Sequence, residues 1–207
     1  MSVFERTREL AHQYRHDVLT GLPNRLLFGE RLNRELRIAS SDDSRVAVLF
    51  IDLDRFKRIN DTWGHQVGDN FLRQISERLS SGLRPGEMIG RIGGDEFIVL
   101  IPGLRTREGA AARGQALLST LQAPIRIEDK NVFATMSIGI ATYPDDALQP
   151  DSLMAAADAA MYSAKGAGKN QVQLFQPGMM EAASRPQNIE DKLREALRNN
   201  GFRLRYQ

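Results

Sequence analysis

The longest apolar stretch in the chain lies at residues 45–53, which read RVAVLFIDL. Val46–Ile51 is an unbroken apolar run and predicts a strand that is buried in a sheet. The run ends in Asp52-Leu53-Asp54, so two acids follow it two residues apart. Because alternate residues of an extended chain share a face, the two acids are candidates for a metal site, although turns are often acidic too.

Two shorter apolar runs, Met88–Ile92 and Phe97–Ile101, flank the sequence Gly-Gly-Asp-Glu. This arrangement predicts a tight β-hairpin. The pair Gly93-Gly94 permits the positive φ angles of a tight turn and lets a ligand approach the backbone. The adjacent carboxylates Asp95-Glu96 are either ordinary turn residues or part of a site for phosphate and a divalent metal.

Helical periodicity predicts further elements on both sides of these strands. The predicted helices run from Arg25 to about Ser40 after a cap at Asn24, from residues 64–69 to about Leu83, from Glu108 to Gln122, and from a cap at Asp151 or Ser152 to residues 165–170. The polar stretch Arg55–Trp63 is predicted to be a connection.

Additional strands are predicted at Pro124–Ile127, Val132–Tyr143 and Gln171–Phe175. A glycine within the second of these, Gly139, suggests a bulge or a close backbone approach. The order α–β–α–β–β–α–β–β–α–β predicts an α+β sandwich, with helices packed on a mixed, mostly antiparallel sheet.

The two ends of the chain have a different character. Residues 1–16 fit the end of a helix, either one that pairs with another helix or a frayed terminus. Residues 176–187 contain prolines, glycine and serine and are predicted to be a linker. Residues 188–207 predict an amphipathic helix and then a strand, Phe202–Tyr206, which suggests that the chain is cut from a longer protein.

Composition narrows the possible functions. The 207 residues carry a formal charge of +2 and no cysteine, which excludes thiolate catalysis and cysteine-based zinc sites. No apolar run approaches the length of about 18 residues that a membrane helix needs. We therefore expect a cytoplasmic domain, within a parent protein that could itself be membrane-anchored. Basic residues are spread along the chain, so nucleic-acid binding is not expected.

Nucleotide-binding signatures of the Walker and dinucleotide types are absent from the sequence. Lys165 and Lys169 lie four residues apart around two glycines and could hold phosphate oxygens. Lysines near a helix C-terminus also stabilise the helix dipole, so this pair alone does not decide between the two interpretations.

Five motifs together resemble the GGDEF domains of bacterial diguanylate cyclases. They are DVLTGLPNR at 17–25, FIDLDRFKRINDTWGHQVGD at 50–69, RIGGDEF at 91–97, SIGIA at 137–141 and DAAMYSAKGAGKN at 158–170. The resemblance covers residues 17–175 and implies a palm-like, ferredoxin-type fold of the nucleotidyl cyclase class. Residues 188–207 resemble the start of an EAL phosphodiesterase domain, so the parent resembles a GGDEF–EAL tandem protein, with residues 1–16 as the end of an upstream signalling helix.

The resemblance implies a Mg²⁺-dependent enzyme that condenses two GTP into cyclic di-GMP and releases two pyrophosphates across a homodimer. It implies that Asp52, the Leu53 carbonyl and Asp95 hold the metal, with Glu96 beside it and Asp95 as proton acceptor. Mn²⁺ is expected to substitute for Mg²⁺. The implied substrate contacts are Asn60 and Asp69 on guanine, and Phe56, Lys57, Gly93, Gly94, Lys165 and Lys169 around the phosphates.

The chain departs from the family pattern at two places, and the resemblance also allows one alternative function. Lys169 replaces a frequent arginine and loses its two-pronged hydrogen bonding. The R-x-x-D product-inhibition site of many relatives reads Arg84-Pro85-Gly86-Glu87, so we expect weak or absent product inhibition. The alternative function is a non-catalytic GTP-binding module that controls an attached EAL phosphodiesterase. The input signal, the dimer affinity and the net activity of the parent are not encoded in any recognisable motif.

Overall fold

A computed structural model describes residues 14–127 and 129–183 of the chain. The predicted helix at 1–16 lies largely outside these residues, and the predicted tail at 188–207 lies wholly outside them. The predicted linker at 176–187 is described as far as residue 183, and residues 179–183 of it are helical. The elements are, in chain order, α1 (Arg25–Asp42), β1 (Arg45–Leu53), α2 (Phe56–Trp63), α3 (His65–Ser81), β2 (Met88–Gly93), β3 (Glu96–Leu104), α4 (Arg107–Ser119), β4 (Ile125–Ile127), β5 (Lys130–Val132), β6 (Met136–Tyr143), α5 (Pro150–Gly166) and β7 (Val172–Leu174).

The main sheet has the strand order β2-β3-β1-β6-β7. All neighbouring strands in it are antiparallel except β6 and β7, which are parallel. The predicted mixed, mostly antiparallel α+β fold is therefore confirmed. β1 lies at the centre of the sheet. Near the C-terminal end of β1, Asp52 pairs with Glu96 of β3 on one side and with Ser137 of β6 on the other.

Both faces of the sheet are covered by helices, which explains the unbroken apolar run of β1. Ala47, Leu49 and Ile51 belong to a core with α2, α3 and α4. Val46, Val48 and Phe50 belong to a second core with α1 and α5. A strand buried on both faces has no polar alternation, and the centre of the sheet thereby becomes a rigid base for the residues at its end.

Of two predicted helix caps, one is confirmed and the other is wrong. The side chain of Asn24 accepts hydrogen bonds from the backbone N–H groups of Leu26 and Leu27, which confirms the predicted cap of α1. The predicted cap of α5 at Asp151 or Ser152 is wrong. That helix begins after Gln149, with Pro150 in its first turn, because proline suits a position where no backbone donor is needed.

Two further predictions about elements are corrected by the structure. The stretch Arg55–Trp63 is largely the helix α2 rather than a connection. Its buried residues Phe56 and Ile59 are three apart, a helical spacing that the polar residues around them obscured. The predicted strand Val132–Tyr143 is two strands, β5 and β6, because the chain leaves β5 after Val132 and joins the main sheet at Met136.

Gly139 brings β6 unusually close to α5. A Cβ atom added at Gly139 would lie 2.0 Å from the backbone nitrogen of Met161 and 2.1 Å from the carbonyl oxygen of Ala157. Such distances leave no room for any side chain, so the predicted close backbone approach is confirmed. The contact holds α5 against the sheet and thereby positions the C-terminal end of that helix.

Nowhere in the described ranges does a helix combine the length and the apolarity needed to cross a bilayer.

Candidate active site

The end of β1 presents a buried carboxylate whose charge is only partly compensated. Asp52 is 6% exposed, and its carboxylate lies 2.6 Å from the Lys165 ammonium at the end of α5. The pKa of Asp52 is raised to about 6, mainly by burial; Lys165 lowers it, and the nearby carboxylates of Asp95 and Glu96 raise it. The site thus has a shortage of positive charge.

The hairpin tip lies beside this carboxylate. Gly94 and Asp95 form the two-residue turn between β2 and β3, and Gly93 pairs with Glu96. Gly94 has a φ of 53°, and a Cβ at either glycine would meet nothing within 4 Å. The backbone N–H of Leu53 donates to the carbonyl of Asp95 over 3.2 Å, which ties the turn to the end of β1. The tip is held on one side and open on the other.

A single arginine, Arg91, holds the Gly94–Asp95 turn through hydrogen bonds to its backbone. Arg91 donates two hydrogen bonds to the Gly94 carbonyl, at 3.1 and 2.7 Å, and one to the Asp17 carboxylate at 2.8 Å. Burial would raise the pKa of Asp17, but hydrogen bonds from Thr20 and Arg91 hold it below its usual value. The loop that precedes α1 is therefore connected to the acidic turn through one buried guanidinium.

Glu96 and Asp158 add further negative charge to the same region. Burial raises the pKa of Glu96, and the carboxylates of Asp158 and Asp95 raise it further. Burial also raises the pKa of Asp158, which Lys165 partly opposes. Because Lys165 is the nearest cation to several carboxylates, an additional cation would be stabilised here.

The residues fit a divalent metal by their chemistry. Asp52, Asp95, Glu96 and the Leu53 carbonyl offer the oxygen ligands that Mg²⁺ prefers, and the raised pKa of Asp52 indicates a need for positive charge. In the part of the chain that the structure describes, no three His, Cys, Asp or Glu side chains are already grouped as a metal site. The carboxylate of Asp52 is instead turned to Lys165.

The predicted guanine-reading residues Asn60 and Asp69 lie on α2 and α3, which pack against each other. The side-chain oxygen of Asn60 lies only 1.8 Å from where a Cβ of Gly68 would be, beside Asp69 in the next position of α3. That oxygen is buried and has no hydrogen-bond partner among the described residues. A buried acceptor without a donor is costly, so it marks a place where a ligand donor would be favourable.

The remaining residues predicted to contact the phosphates lie in different environments. Phe56 is buried and stacks on Phe71 with ring centroids 6.0 Å apart, so its side chain belongs to the core. Lys57 lies exposed in the first turn of α2. Lys169 follows α5 in a left-handed backbone conformation with a φ of 66°. Of the three predicted lysines, the structure brings Lys165 into contact with the carboxylate cluster.

Asp54 does not share the environment of Asp52, contrary to the expectation from their spacing. Its carboxylate accepts hydrogen bonds from the hydroxyls of Thr135 and Ser137, at 2.7 and 2.8 Å, and from the backbone N–H of Asn170 at 3.0 Å. The strand ends at Leu53, so the alternation of faces does not continue to Asp54. Asp54 joins three segments and is not available to a metal.

The degenerate inhibitory site is occupied by a side chain of the protein itself. Arg113 on α4 donates to both oxygens of Glu87, at 2.8 and 2.5 Å, and the two side chains are 8% and 6% exposed. Glu87 also accepts a hydrogen bond from the backbone N–H of Arg84 at 2.8 Å. The carboxylate is thereby fully engaged, while Arg84 lies exposed.

Several residues that support the candidate site escaped the sequence analysis. Arg91 and Asp17 both lie within quoted motifs, but their contact spans 74 positions and no local pattern reveals it. A charged residue between the apolar residues of β2 was the available signal for Arg91, since such a residue needs a buried partner. The close fit of Gly68 against Asn60 had no signal in the sequence.

The central sheet with acids at its hairpin defines a palm-like domain of the nucleotidyl cyclase class. Residues 14–171 match the family model described as "Diguanylate cyclase, GGDEF domain". The chain therefore belongs to the GGDEF-domain family of diguanylate cyclases.

Two curated relatives from Pseudomonas aeruginosa illustrate the range of the family. The bifunctional diguanylate cyclase/cyclic di-GMP phosphodiesterase MucR is 41% identical over 206 residues, which are 100% of this chain and 30% of the relative. The diguanylate cyclase TpbB of strain UCBPP-PA14 is 48% identical over 157 residues, 75% of this chain and 36% of the relative. The chain thus spans about a third of the length of these relatives.

Solved structures give the same result. A structure that comprises only the GGDEF domain of TpbB from P. aeruginosa has a TM-score of 0.79 at 42% identity and covers 82% of this chain and 99% of its own. The coiled coil and GGDEF domain of DgcB from Caulobacter crescentus, in complex with cyclic di-GMP, has a TM-score of 0.73 at 28% identity and covers 83% of this chain and 91% of its own.

Proposed function

We propose that this domain is an active diguanylate cyclase, which condenses two GTP into cyclic di-GMP and releases two pyrophosphates. The observation that carries the proposal is the buried Asp52 carboxylate beside the intact Gly-Gly-Asp-Glu turn, with a pKa raised to about 6. A structural carboxylate would have its charge satisfied, as Asp54 does. A carboxylate short of positive charge suits a site that binds a metal and a triphosphate.

Asp52, Asp95, Glu96 and the Leu53 carbonyl would hold Mg²⁺, or Mn²⁺ in its place. The metal would supply positive charge to the phosphates and to the leaving pyrophosphate. Lys165 partly compensates the charge of Asp52 in the present arrangement and is the residue that would turn to the β- and γ-phosphates when substrate binds. Lys57 and Lys169 would supply the remaining phosphate contacts, and the open glycines Gly93 and Gly94 leave room for the triphosphate.

Asn60 and Asp69 would select the base. A carboxylate at Asp69 can accept hydrogen bonds from N1–H and the amino group of guanine, whereas adenine offers no such pair of donors. The unpartnered oxygen of Asn60 is supporting evidence, since a donor of the base would satisfy it. Gly68 keeps that oxygen in position because any side chain there would displace it.

The reaction would require two domains facing each other. Each 3′-hydroxyl would attack the α-phosphate of the other GTP, so a new phosphodiester bond forms as the bond to pyrophosphate breaks. The hydroxyl proton would pass to a carboxylate of the site, for which Asp95 is the candidate. Because GTP is the substrate, we place the domain in the cytoplasm, where nucleoside triphosphates are found.

The match to relatives supports a tandem organisation of the parent. The match to MucR, a named bifunctional enzyme, covers all of this chain, whereas the match to TpbB covers 75%. We propose that residues 17–175 are the GGDEF domain, that residues 176–187 are a linker, and that residues 188–207 begin an EAL domain. Residues 1–16 would be the end of an upstream signalling helix.

A second candidate function is a GTP-binding module without catalysis that controls the EAL domain. It is favoured by the match to NbdA of P. aeruginosa, a named cyclic di-GMP phosphodiesterase, which is 37% identical over 198 residues. The intact Gly-Gly-Asp-Glu turn and the incompletely compensated charge of Asp52 favour an active cyclase over this regulatory module.

We also propose that product inhibition through Arg84 and Glu87 is weak or absent. Arg113 already occupies the carboxylate that a product would need, and breaking this buried pair would be unfavourable. Titration with cyclic di-GMP is expected to show no tight binding that depends on Arg84. Tight binding that is lost in Arg84→Ala would contradict this proposal.

The decisive experiment for the main proposal is a cyclase assay with GTP and Mg²⁺ at increasing protein concentration. Cyclic di-GMP formation that rises faster than linearly with protein and disappears in Asp95→Ala would establish a dimer-dependent cyclase. Tight, Mg²⁺-dependent GTP binding without product would instead support the regulatory module. The effect of GTP on phosphodiesterase activity of the full-length protein would then be measured.

A further inference from the structure

A cleft beside α2 is lined by neither member of the guanine-reading pair. It has a volume of about 490 Å³ and is bounded by α2, the segment between β5 and β6, and the loop after α5. This size falls within the range of small-molecule sites. Lys169 lines the cleft and is also one of the predicted phosphate contacts, whereas Asn60, Asp69, Asp52 and Asp95 do not line it. We call it the α2–β5 cleft.

Two large aromatic side chains are exposed in the α2–β5 cleft. Trp63 at the end of α2 is 36% exposed, and Phe133 after β5 is 76% exposed. Among the described residues the only stacked aromatic pair is Phe56 and Phe71, so the rings of Trp63 and Phe133 do not stack on each other. Aromatic surface left open in a cleft is typical of a binding site, because a flat ligand can stack on it.

The same cleft carries an excess of positive charge. Arg55, Arg58 and Lys169 line it, and none of them forms an ion pair with another described residue. The acid in its wall, Asp54, uses both carboxylate oxygens for hydrogen bonds to neighbouring segments. The cations are therefore available to an anionic ligand, and aromatic rings beside them favour a ligand with a flat group next to its charge.

The walls of the cleft are built from unusual backbone that is held firmly. Arg55, Lys169 and Asn170 have φ angles of 61°, 66° and 47°, a conformation that side-chain-bearing residues seldom adopt. Hydrogen bonds from Asn170 to the Asp54 carboxylate and from the Asp54 N–H to the Thr135 carbonyl, 3.0 and 2.9 Å long, keep the walls together. Strained backbone that the surrounding structure maintains is a feature of ligand-binding regions.

We propose that the α2–β5 cleft binds a purine nucleoside phosphate, separately from the GTP that Asn60 and Asp69 would read. The base stacks on Trp63 or Phe133, and the phosphates bind Arg55, Arg58 and Lys169. Stacking on an aromatic ring accepts adenine and guanine alike. Since Lys169 is shared with the predicted phosphate contacts, a nucleotide in the cleft alters GTP binding in the neighbouring site.

The test uses ATP as the probe, since the guanine-reading carboxylate Asp69 disfavours adenine. Trp63 is the one tryptophan of the chain, so its fluorescence reports on the cleft directly. Saturable quenching by ATP is expected, confirmed by calorimetry. Phe133→Ala weakens the affinity by about fivefold or more, which is the usual effect of removing a stacked ring. Arg58→Ala also weakens it, and both side chains are exposed, so the fold is retained.

Two variants serve as controls. Asp69→Ala does not weaken ATP binding to the cleft, because Asp69 does not line it. Arg37→Ala removes the same charge as Arg58→Ala from exposed α1, which packs on the other face of the sheet, and also leaves it unchanged. Inorganic tripolyphosphate, which has no base, binds more weakly than ATP.

Several results would overturn the proposal. They are the absence of saturable ATP binding, an affinity that Phe133→Ala and Arg58→Ala leave unchanged, binding that Asp69→Ala abolishes, and tripolyphosphate binding as tight as that of ATP. None of these results depends on the cyclase assay, so the cleft and the proposed function succeed or fail independently.

Discussion

Asp52 and Asp54 lie two residues apart at the end of one strand, yet their surroundings are opposite. Both are buried, at 6% and 9% exposure. Asp54 accepts three hydrogen bonds and joins β1 to the segment before β6 and to the loop after α5. Asp52 has one cation, Lys165, and two neighbouring carboxylates. The comparison teaches that burial of an acid does not indicate function, whereas burial without sufficient partners does.

Glu87 belongs with Asp54 in this comparison, because Arg113 satisfies its buried charge. We expect Arg113→Met to have the largest effect on stability, since it would leave a buried carboxylate without a cation. The free energy of unfolding should fall by about 3–5 kcal/mol. Urea unfolding would measure it. The double variant Arg113→Met, Glu87→Met should recover most of the loss, and a loss below about 1 kcal/mol in the single variant would show that Glu87 is not held in this way.

Removing the satisfied aspartate tests the structural side of the comparison directly. Asp54→Ala would leave two hydroxyls and one backbone N–H without their acceptor, and we expect a loss of about 3 kcal/mol in the free energy of unfolding. Urea unfolding at pH 8 would measure it. Ser137→Ala, which removes a single donor, provides a smaller matched change. Asp54 would not be structural if both variants were as stable as the original chain.

The corresponding change at Asp52 should have the opposite sign. The folded state raises the pKa of Asp52 from 3.8 to about 6, so ionisation of this group opposes folding as the pH rises through that interval. Asp52→Asn should therefore stabilise the chain at pH 8 by up to about 3 kcal/mol. The gain should shrink below pH 6 and vanish near pH 4.

Urea unfolding at pH 8 and pH 4 would separate this effect from an ordinary packing change, which does not depend on pH. Cyclase activity should be lost in Asp52→Asn at every pH. A variant that was both inactive and less stable at pH 8 would place Asp52 in the same class as Asp54.

The smallest expected effect concerns the cation beside Asp52. Lys165→Met should lower the free energy of unfolding at pH 8 by about 1 kcal/mol, since a partly exposed lysine contributes modestly to an ion pair. In the Asp52→Asn background the same change should have almost no effect, because the ionised partner is gone. An equal effect in both backgrounds would mean that Lys165 does not compensate Asp52.

Local patterns were sufficient for much of the fold. The apolar run at Arg45–Leu53 predicted β1 with its observed ends, and the glycines between two apolar runs predicted the hairpin. The helix α2 was missed because its buried residues, Phe56 and Ile59, are few in a polar stretch. The break between β5 and β6 was missed because no glycine or proline marks it.

The candidate site was less accessible to such reasoning. The motifs identified the acids and lysines, but the partners that distinguish Asp52 from Asp54 come from distant parts of the chain. Ser137 and Asn170 lie 83 and 116 positions from Asp54. Arg113 had no motif to mark it, and only the packing of α4 beside the end of α3 brings it to Glu87. Local sequence gives the residue types, and tertiary packing decides which charges remain uncompensated.

The absence of a side chain at Gly139 sets a dimension of the whole site. Gly139 pairs with Phe50 on β1, two residues before Asp52, and it touches the backbone of α5 at Met161, one helical turn before Lys165. The contact at Gly139 thus sets the distance between the Asp52 carboxylate on the sheet and the Lys165 ammonium on the helix. A side chain at this position would push α5 away from the sheet and separate the two charges without altering either of them.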